Sequence, residues 1–375
     1  MKFATTLLSL ALALALGVLS AQTVLAGAAP PAANPGAFMG DFNNDGRQDV
    51  LISNAGDLWV YVTATDIGTG GPNVNIAASG RITTLPQGAS VKGVSDFNND
   101  GFADVLVETA GGGLSVLLTD GGVTPVALVT GAGLYAAPPG GWGVMGAADA
   151  NADGSADVYV QDGAGAIYTY ITMDNAGNPQ ANGGASGSPV VLPANWGTAV
   201  VGDINGDGLS DMLAANSVPT GTGGSQIYVF VTAEDGISVD GAASGNPGET
   251  PAGWFCCAAG NTTPATASND LAAGDESGGA GTATQLFVYA MNEDGISFDL
   301  GASAANVLLP AGWGVEGLGD FNDDDIVDTL AVNDANGSLV VFLNSAPGVV
   351  SGTPFLTQMP NGWSVASFQG MAAGE

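Results

Sequence analysis

Nine-residue strings of one pattern return along this chain: DFNNDGRQD at 41, DFNNDGFAD at 96, DANADGSAD at 149, DINGDGLSD at 203 and DFNDDDIVD at 320. Their starts lie 55, 53, 54 and then 117 residues apart, and 117 is about twice the other intervals. A sixth copy is therefore expected near 262, where TTPATASND precedes LAAGDE as DINGDGLSD precedes MLAANS. That copy keeps only the last aspartate, Asp270. Self-similarity at a fixed period marks a repeat architecture, in which each unit buries its apolar faces against its neighbours.

Each unit has the same internal order. One apolar run precedes the acidic string, as in GWGVMGAAD (141–149) and NWGTAVVGD (195–203), and a second follows it, as in ADVLVET. A third alternates with period two after a glycine turn, as in DLWVYVTA (57–64) and QIYVFVTA (226–233); a fourth, less regular, leads into Leu-Pro at 85, 192 and 309. These runs are β-branched and aromatic, separated by Gly, Asn, Asp and Pro, with no competing helical period. The predicted fold is all-β, a β-propeller of about six four-stranded blades, or seven if a terminal strand is shared. A ring removes long unpaired edges, and the alternative, a solenoid, uses shorter coils. GWSVASFQG (362–370) copies the first strand of a further unit, and PGAFMGD (35–41) is the first unit's own short version. One of the two is expected to complete a blade across the chain ends, leaving the other to lie along an edge or enter a neighbouring molecule.

Within each acidic string, carboxylate or amide oxygens fall at positions 1, 3, 5 and 9, with a backbone carbonyl expected at position 7. That donor set suits calcium, which takes six to eight hard oxygens at about 2.3–2.6 Å in loose geometry; magnesium demands a stricter octahedron. Carboxylates this close repel one another unless a cation neutralises them. Glycine at position 6 (Gly46, Gly101, Gly154, Gly208) allows the sharp turn that returns position 9, and Asp325 stands there in the last copy. An EF-hand or dockerin reading fails, because position 12 is Ile52, Val107, Val160 and Ala214 in the first four copies and the flanks are strands. Asx turns alone would account for one copy; five copies with the same oxygens at the same spacing point to metal.

The string DxNxDGxxD between short strands at this spacing resembles the FG-GAP and VCBS repeats of integrin-α-like propellers and secreted bacterial proteins. The resemblance spans about residues 36–371 and is close only in the acidic loops. It implies a calcium-binding propeller with Ca2+ in about five structural sites, in the hairpin between the first and second strands of each blade. The implied ligands are Asp41, Asn43, Asp45, the Arg47 carbonyl and Asp49; Asp96, Asn98, Asp100, the Phe102 carbonyl and Asp104; and Asp149, Asn151, Asp153, the Ser155 carbonyl and Asp157. Two further sets are Asp203, Asn205, Asp207, the Leu209 carbonyl and Asp211, and Asp320, Asn322, Asp324, the Ile326 carbonyl and Asp328.

Acidic residues number 36 against four basic ones, and five divalent cations would bring the formal charge from −32 to −22. Such a charge repels nucleic acid and anionic membranes. Residues 1–26 read as an export signal, with Lys2 before an apolar stretch too short to span a bilayer, so the chain is expected to be secreted or displayed on the cell surface. A short linker (27–35) and one propeller domain (36–375) follow, with no membrane span after signal removal. Histidine is absent, which removes the usual general base, and maturation would leave Arg47, Arg81 and Lys92 as the basic residues, so no catalytic residue is expected. The adjacent Cys256 and Cys257 form no disulfide framework and are read as small apolar strand residues. Trp142, Trp196, Trp254, Trp313 and Trp363 recur at one place per unit, which suits packing between blades or stacking on sugars, the former preferred. The functional expectation is a non-catalytic adhesion or recognition module for an extracellular protein or glycan. The alternatives are a self-assembling subunit of a filament or surface layer and, least favoured, a carbohydrate-active enzyme.

Overall fold

The structure is a computed structural model. It describes residues 38–65, 71–121, 127–129, 135, 138–174, 179–188, 190–216, 224–251, 254–260, 270–275, 284–292, 294–333, 335–346, 349–352 and 355–365. The expected signal and linker, and the acidic copy near 262 apart from Asp270, lie outside these residues. Among the described residues there is no helix, and hence none long and apolar enough to cross a membrane.

Six antiparallel sheets follow one another as the blades of a β-propeller, in the order the repeat period prescribes. Blade two is typical: Ser90–Ser95, Asp104–Glu108, Leu114–Leu118 and Ala127–Val129 pair in sequence, and the acidic loop joins the first strand to the second. In blade three the fourth run makes only isolated bridges, Thr169 to Gly187 and Ala166 to Val191, beside Trp142–Ala148, Asp157–Asp162 and Ile167–Tyr170. Blades four, five and six begin at Trp196–Gly202, Trp254–Gly260 and Trp313–Gly319.

Second strands are apolar on both faces because each blade is covered twice, so alternate residues serve different neighbours. In Asp49–Asn54, Leu51 packs with Val105 and Val107 of blade two, while Val50 and Ile52 pack with Phe321, Leu330 and Val332 of blade six. In Asp157–Asp162, Val158 and Val160 meet Leu106 of blade two, and Tyr159 meets Met212 and Ala214 of blade four. The cluster joining blade six to blade one closes the ring at six blades.

Both terminal strands take part in that closure. Met39 and Gly40 pair with Val50 and Asp49, and Val365 and Ser364 pair with Ile52 and Ser53, on one edge of the same strand. Among the described residues, the innermost strand of blade one is thus assembled from both terminal copies, Met39–Gly40 and Ser364–Val365, where one alone is expected from the sequence. Blades two to six each carry a register shift in the first strand, between Val91 and Gly93, Val144 and Gly146, Thr198 and Val200, Cys256 and Ala258, and Val315 and Gly317. The join in blade one falls at this place, between the pairs at Val50 and Ile52. Cys257 is the residue left unopposed by the shift in blade five.

Three of the recurring tryptophans pack. Trp142, Trp196 and Trp363 are partly buried against the clusters between blades, and Trp363 meets Trp59 edge-on at 5.9 Å. A second recurring plug lies at loop position 2, where Phe42, Phe97, Ala150, Ile204 and Phe321 are buried between successive blades. Phe97→Ala should lower stability by about 3–5 kcal/mol, whereas Val349→Ala, at a side chain 51% exposed, should change it by less than about 0.5 kcal/mol. Denaturant midpoints of the two variants check this; equal midpoints would contradict the assignment.

Candidate metal centres

Each acidic loop is built from its first aspartate. Asp41 Oδ1 accepts the N–H groups of Asn43 and Asp45, at 3.2 and 3.1 Å, and Oδ2 accepts that of Gly46 at 2.8 Å. Asp96, Asp149, Asp203 and Asp320 repeat this grip on position 6, through Gly101, Gly154, Gly208 and Asp325. The grip requires a left-handed residue, and position 6 has φ of 85, 86, 90, 90 and 62° in the five loops. Glycine meets that without strain, and aspartate is tolerated in the last loop. Position 4 is left-handed too, with φ of 55, 57, 57 and 63° at Asn44, Asn99, Ala152 and Asp323 and 80° at Gly206. Sequence reasoning missed this position; its signal was the run of Asn, Asn, Gly and Asp, interrupted by Ala152.

Position 5 turns one oxygen back onto position 7, as in Arg47 N–H to Asp45 Oδ1 at 3.0 Å and Ile326 N–H to Asp324 Oδ1 at 3.0 Å. Its other oxygen accepts the position 3 amide, at 2.9–3.1 Å in all five loops. Positions 1, 3 and 5 are thereby brought together.

Position 9 sits differently. Asp49, Asp104, Asp157, Asp211 and Asp328 are fully buried. One oxygen of each accepts the N–H of position 2, and the other accepts an N–H at or just beyond the end of the third strand. For Asp49 the second donor is Thr63 at 2.7 Å, and for Asp104 it is Thr119 at 2.8 Å; Thr172, Thr232 and Asn344 serve the others. The carboxylate therefore pins the loop to the far side of its own hairpin. Asp270, the last acidic residue of the altered copy, is equally buried and accepts the N–H of Met291 at 2.9 Å, as position 9 does in the other blades.

Burial pushes the carboxyls of Asp49, Asp157, Asp211 and Asp328 up to about 7 and that of Asp104 to about 8. The two N–H donors of each oppose the shift, and the loop's other carboxylates add to it. Burial likewise raises Asp203 at position 1 of the fourth loop.

Among the described residues, no three acidic or cysteine side chains stand as a finished cation cage. The fit to a hard cation rests on donor chemistry and on two buried oxygens. Asn98 Oδ1 and Asn322 Oδ1, both at position 3, are out of contact with solvent and have no hydrogen-bond donor. A buried amide oxygen without a donor is costly, and a cation would satisfy it.

Comparison with protein families matches the FG-GAP-like repeat model to residues 41–107 and 96–160, from the first acidic loop into the second strand of blade three. Residues 41–160 carry FG-GAP-like repeats. No curated protein matches it. Among solved structures, these repeats are similar to an Agrocybe aegerita lectin that recognises non-reducing terminal N-acetylglucosamine, at 15% identity over 87% of this chain and 81% of that one, with a TM-score of 0.48. The Dos1 propeller is similar at 10% identity over 89% and 75%, TM-score 0.42, and a puromycin hydrolase at 13% over 85% and 42%, TM-score 0.37. Scores this low decide no activity for the FG-GAP-like chain.

A carboxyl whose folded pKa is raised favours the folded state below its unfolded value, about 3.8, and loses that contribution as pH climbs through 7–8. In chelator, the melting temperature should therefore fall between pH 5 and pH 8, and millimolar calcium should flatten or reverse the slope. Melting profiles that superimpose with and without calcium would contradict it.

Proposed function

We propose that the chain is a secreted, calcium-stabilised propeller that recognises an extracellular protein or glycan and performs no chemistry on it. The observation that carries the non-catalytic part is the state of the three basic side chains outside the leader. Arg47 lies 3.7 Å from both Asp45 and Asp323, Arg81 lies 2.7 Å from Asp57, and Lys92 lies 2.9 Å from Glu108. Each is held in an ion pair, and with histidine absent from the sequence neither an imidazole base nor an unpaired cationic side chain outside the leader stands ready for a substrate.

The calcium part draws on the repeated oxygen loops and the two amide oxygens without donors. Asp41, Asn43, Asp45, the Arg47 carbonyl and Asp49, with their equivalents in the other four loops, would hold the ions. A bound ion neutralises the buried carboxylates and fixes each loop for the blades around it. The formal charge favours a neutral or cationic ligand. Assembly into a filament, the other reading, draws on a spare terminal strand, on the few long charged side chains and on the glycine-rich loops at 68–80 and 175–187; of these, the strand residues Met39–Gly40 and Ser364–Val365 both pair within blade one.

Chelation should lower the melting temperature, since each site contributes about 2.7 kcal/mol when free calcium is one hundred times its dissociation constant. Glycan arrays and pull-downs from cell-surface extracts with the mature chain should show capture that chelation abolishes. An unchanged melting temperature in chelator, or turnover of a polysaccharide, would overturn the proposal.

A further inference from the structure

The acidic loops are joined to one another around the ring. The carbonyl of position 1 in one loop accepts the N–H of position 8 in the loop of the next blade. Ala103 donates to Asp41 at 2.8 Å, Ala156 to Asp96 at 2.7 Å, Ser210 to Asp149 at 2.8 Å and, across the closure, Gln48 to Asp320 at 2.7 Å. Position 8 stands between the carbonyl of position 7 and the carboxylate of position 9. Whatever fixes position 1 of one loop therefore fixes the stretch that carries two candidate ligands in the next.

A second contact runs beside three of these bonds. The position 4 side chain of one loop lies over the position 6 backbone of the next, leaving no room there for a Cβ. An atom built on Gly101 would lie 2.8 Å from the Asn44 amide nitrogen, and the Asn99 amide crowds Gly154. The Asn99 amide also donates to the Asp153 carbonyl at 3.2 Å. Across the closure, Asp323 lies over Gly46 and pairs with Arg47. Between loops three and four this contact is absent: Ala152 is too short, and nothing lies within 4 Å of a Cβ placed at Gly208.

We propose that the loops of blades six, one, two, three and four form one coupled array, in which a cation in one loop raises the affinity of the next. This rests on the reading that the loops hold calcium. The array ends at blade five, whose sequence lacks the oxygen donors before Asp270. Coupling is weakest between three and four, where the backbone bond acts alone. Because coupling is reciprocal, order passes along the array in both directions. Asn44, Asn99 and Asp323 act as positioning residues that touch no ion.

The test is a calorimetric titration of the calcium-stripped mature chain with CaCl2, compared with Asn99→Ala and Ala152→Asn. Neither change alters a candidate ligand, and both lie on exposed turns. The wild type is expected to bind five ions with a Hill coefficient above one. Asn99→Ala should still bind five, with a lower Hill coefficient and its weakest sites weakened roughly fivefold. Ala152→Asn should raise the coefficient by restoring the missing contact. Five ions bound at independent sites, or three superimposable isotherms, would overturn the coupling and leave the metal reading intact. No calcium uptake at all would overturn both.

Discussion

The structure depends on a carboxylate buried at the ninth position of each acidic loop, with each oxygen turned to a backbone N–H. One donor belongs to the loop and the other lies at or beyond the end of the third strand, so a single side chain ties together three parts of a blade. Ionised, such a group is stabilised by its two hydrogen bonds and penalised by burial and by the other aspartates of its loop. Burial prevails in the absence of a cation, which is why these carboxyls titrate near neutrality. On the proposed calcium reading, a cation held by the loop would supply the positive charge that lets the pin remain ionised. The loop would then be both a fastener and a metal site, whereas blade five carries the fastener, Asp270, without the other acidic positions.

Around the ring the same logic repeats between blades. Position 2 inserts a side chain between neighbours, position 8 donates to the preceding loop, and the second strand divides its residues between two clusters. The closure uses no different chemistry: Gln48 meets Asp320 as Ala103 meets Asp41, and Phe321 stands between blades six and one as Phe97 stands between two and three. What differs is the chain itself, whose two ends meet within one strand. That arrangement joins the first and last blades while preserving the register of every other one.

Much of this was legible in the sequence, because the acidic string is rigidly periodic and its glycines and carboxylates have few structural alternatives. The period pointed to about six blades, with seven left open, and position 6 identified the left-handed turn. The alternation of DLWVY marked a third strand. Other features were hidden for physical reasons. Position 4 is left-handed even at Ala152, where the hydrogen bonds of the loop override side-chain preference. The aromatic or aliphatic residue at position 2 looked like an ordinary apolar residue until its burial between blades was seen. The ninth aspartate resembled its neighbours in the string, and only the donors around it show that this candidate ligand also pins the loop to its hairpin. The two copies of the first strand looked mutually exclusive because a strand is normally one segment; the register shift shared by the other blades is what allows two.

The most direct test of the central claim is to follow the side-chain carboxyl carbons of Asp49, Asp104, Asp157, Asp211 and Asp328 by NMR across pH, with and without calcium. They should titrate near pH 7–8 in chelator and stay ionised from pH 5 to pH 8 in calcium. Titration at the same pH in both conditions would contradict the claim that a cation sustains the charge of these buried groups.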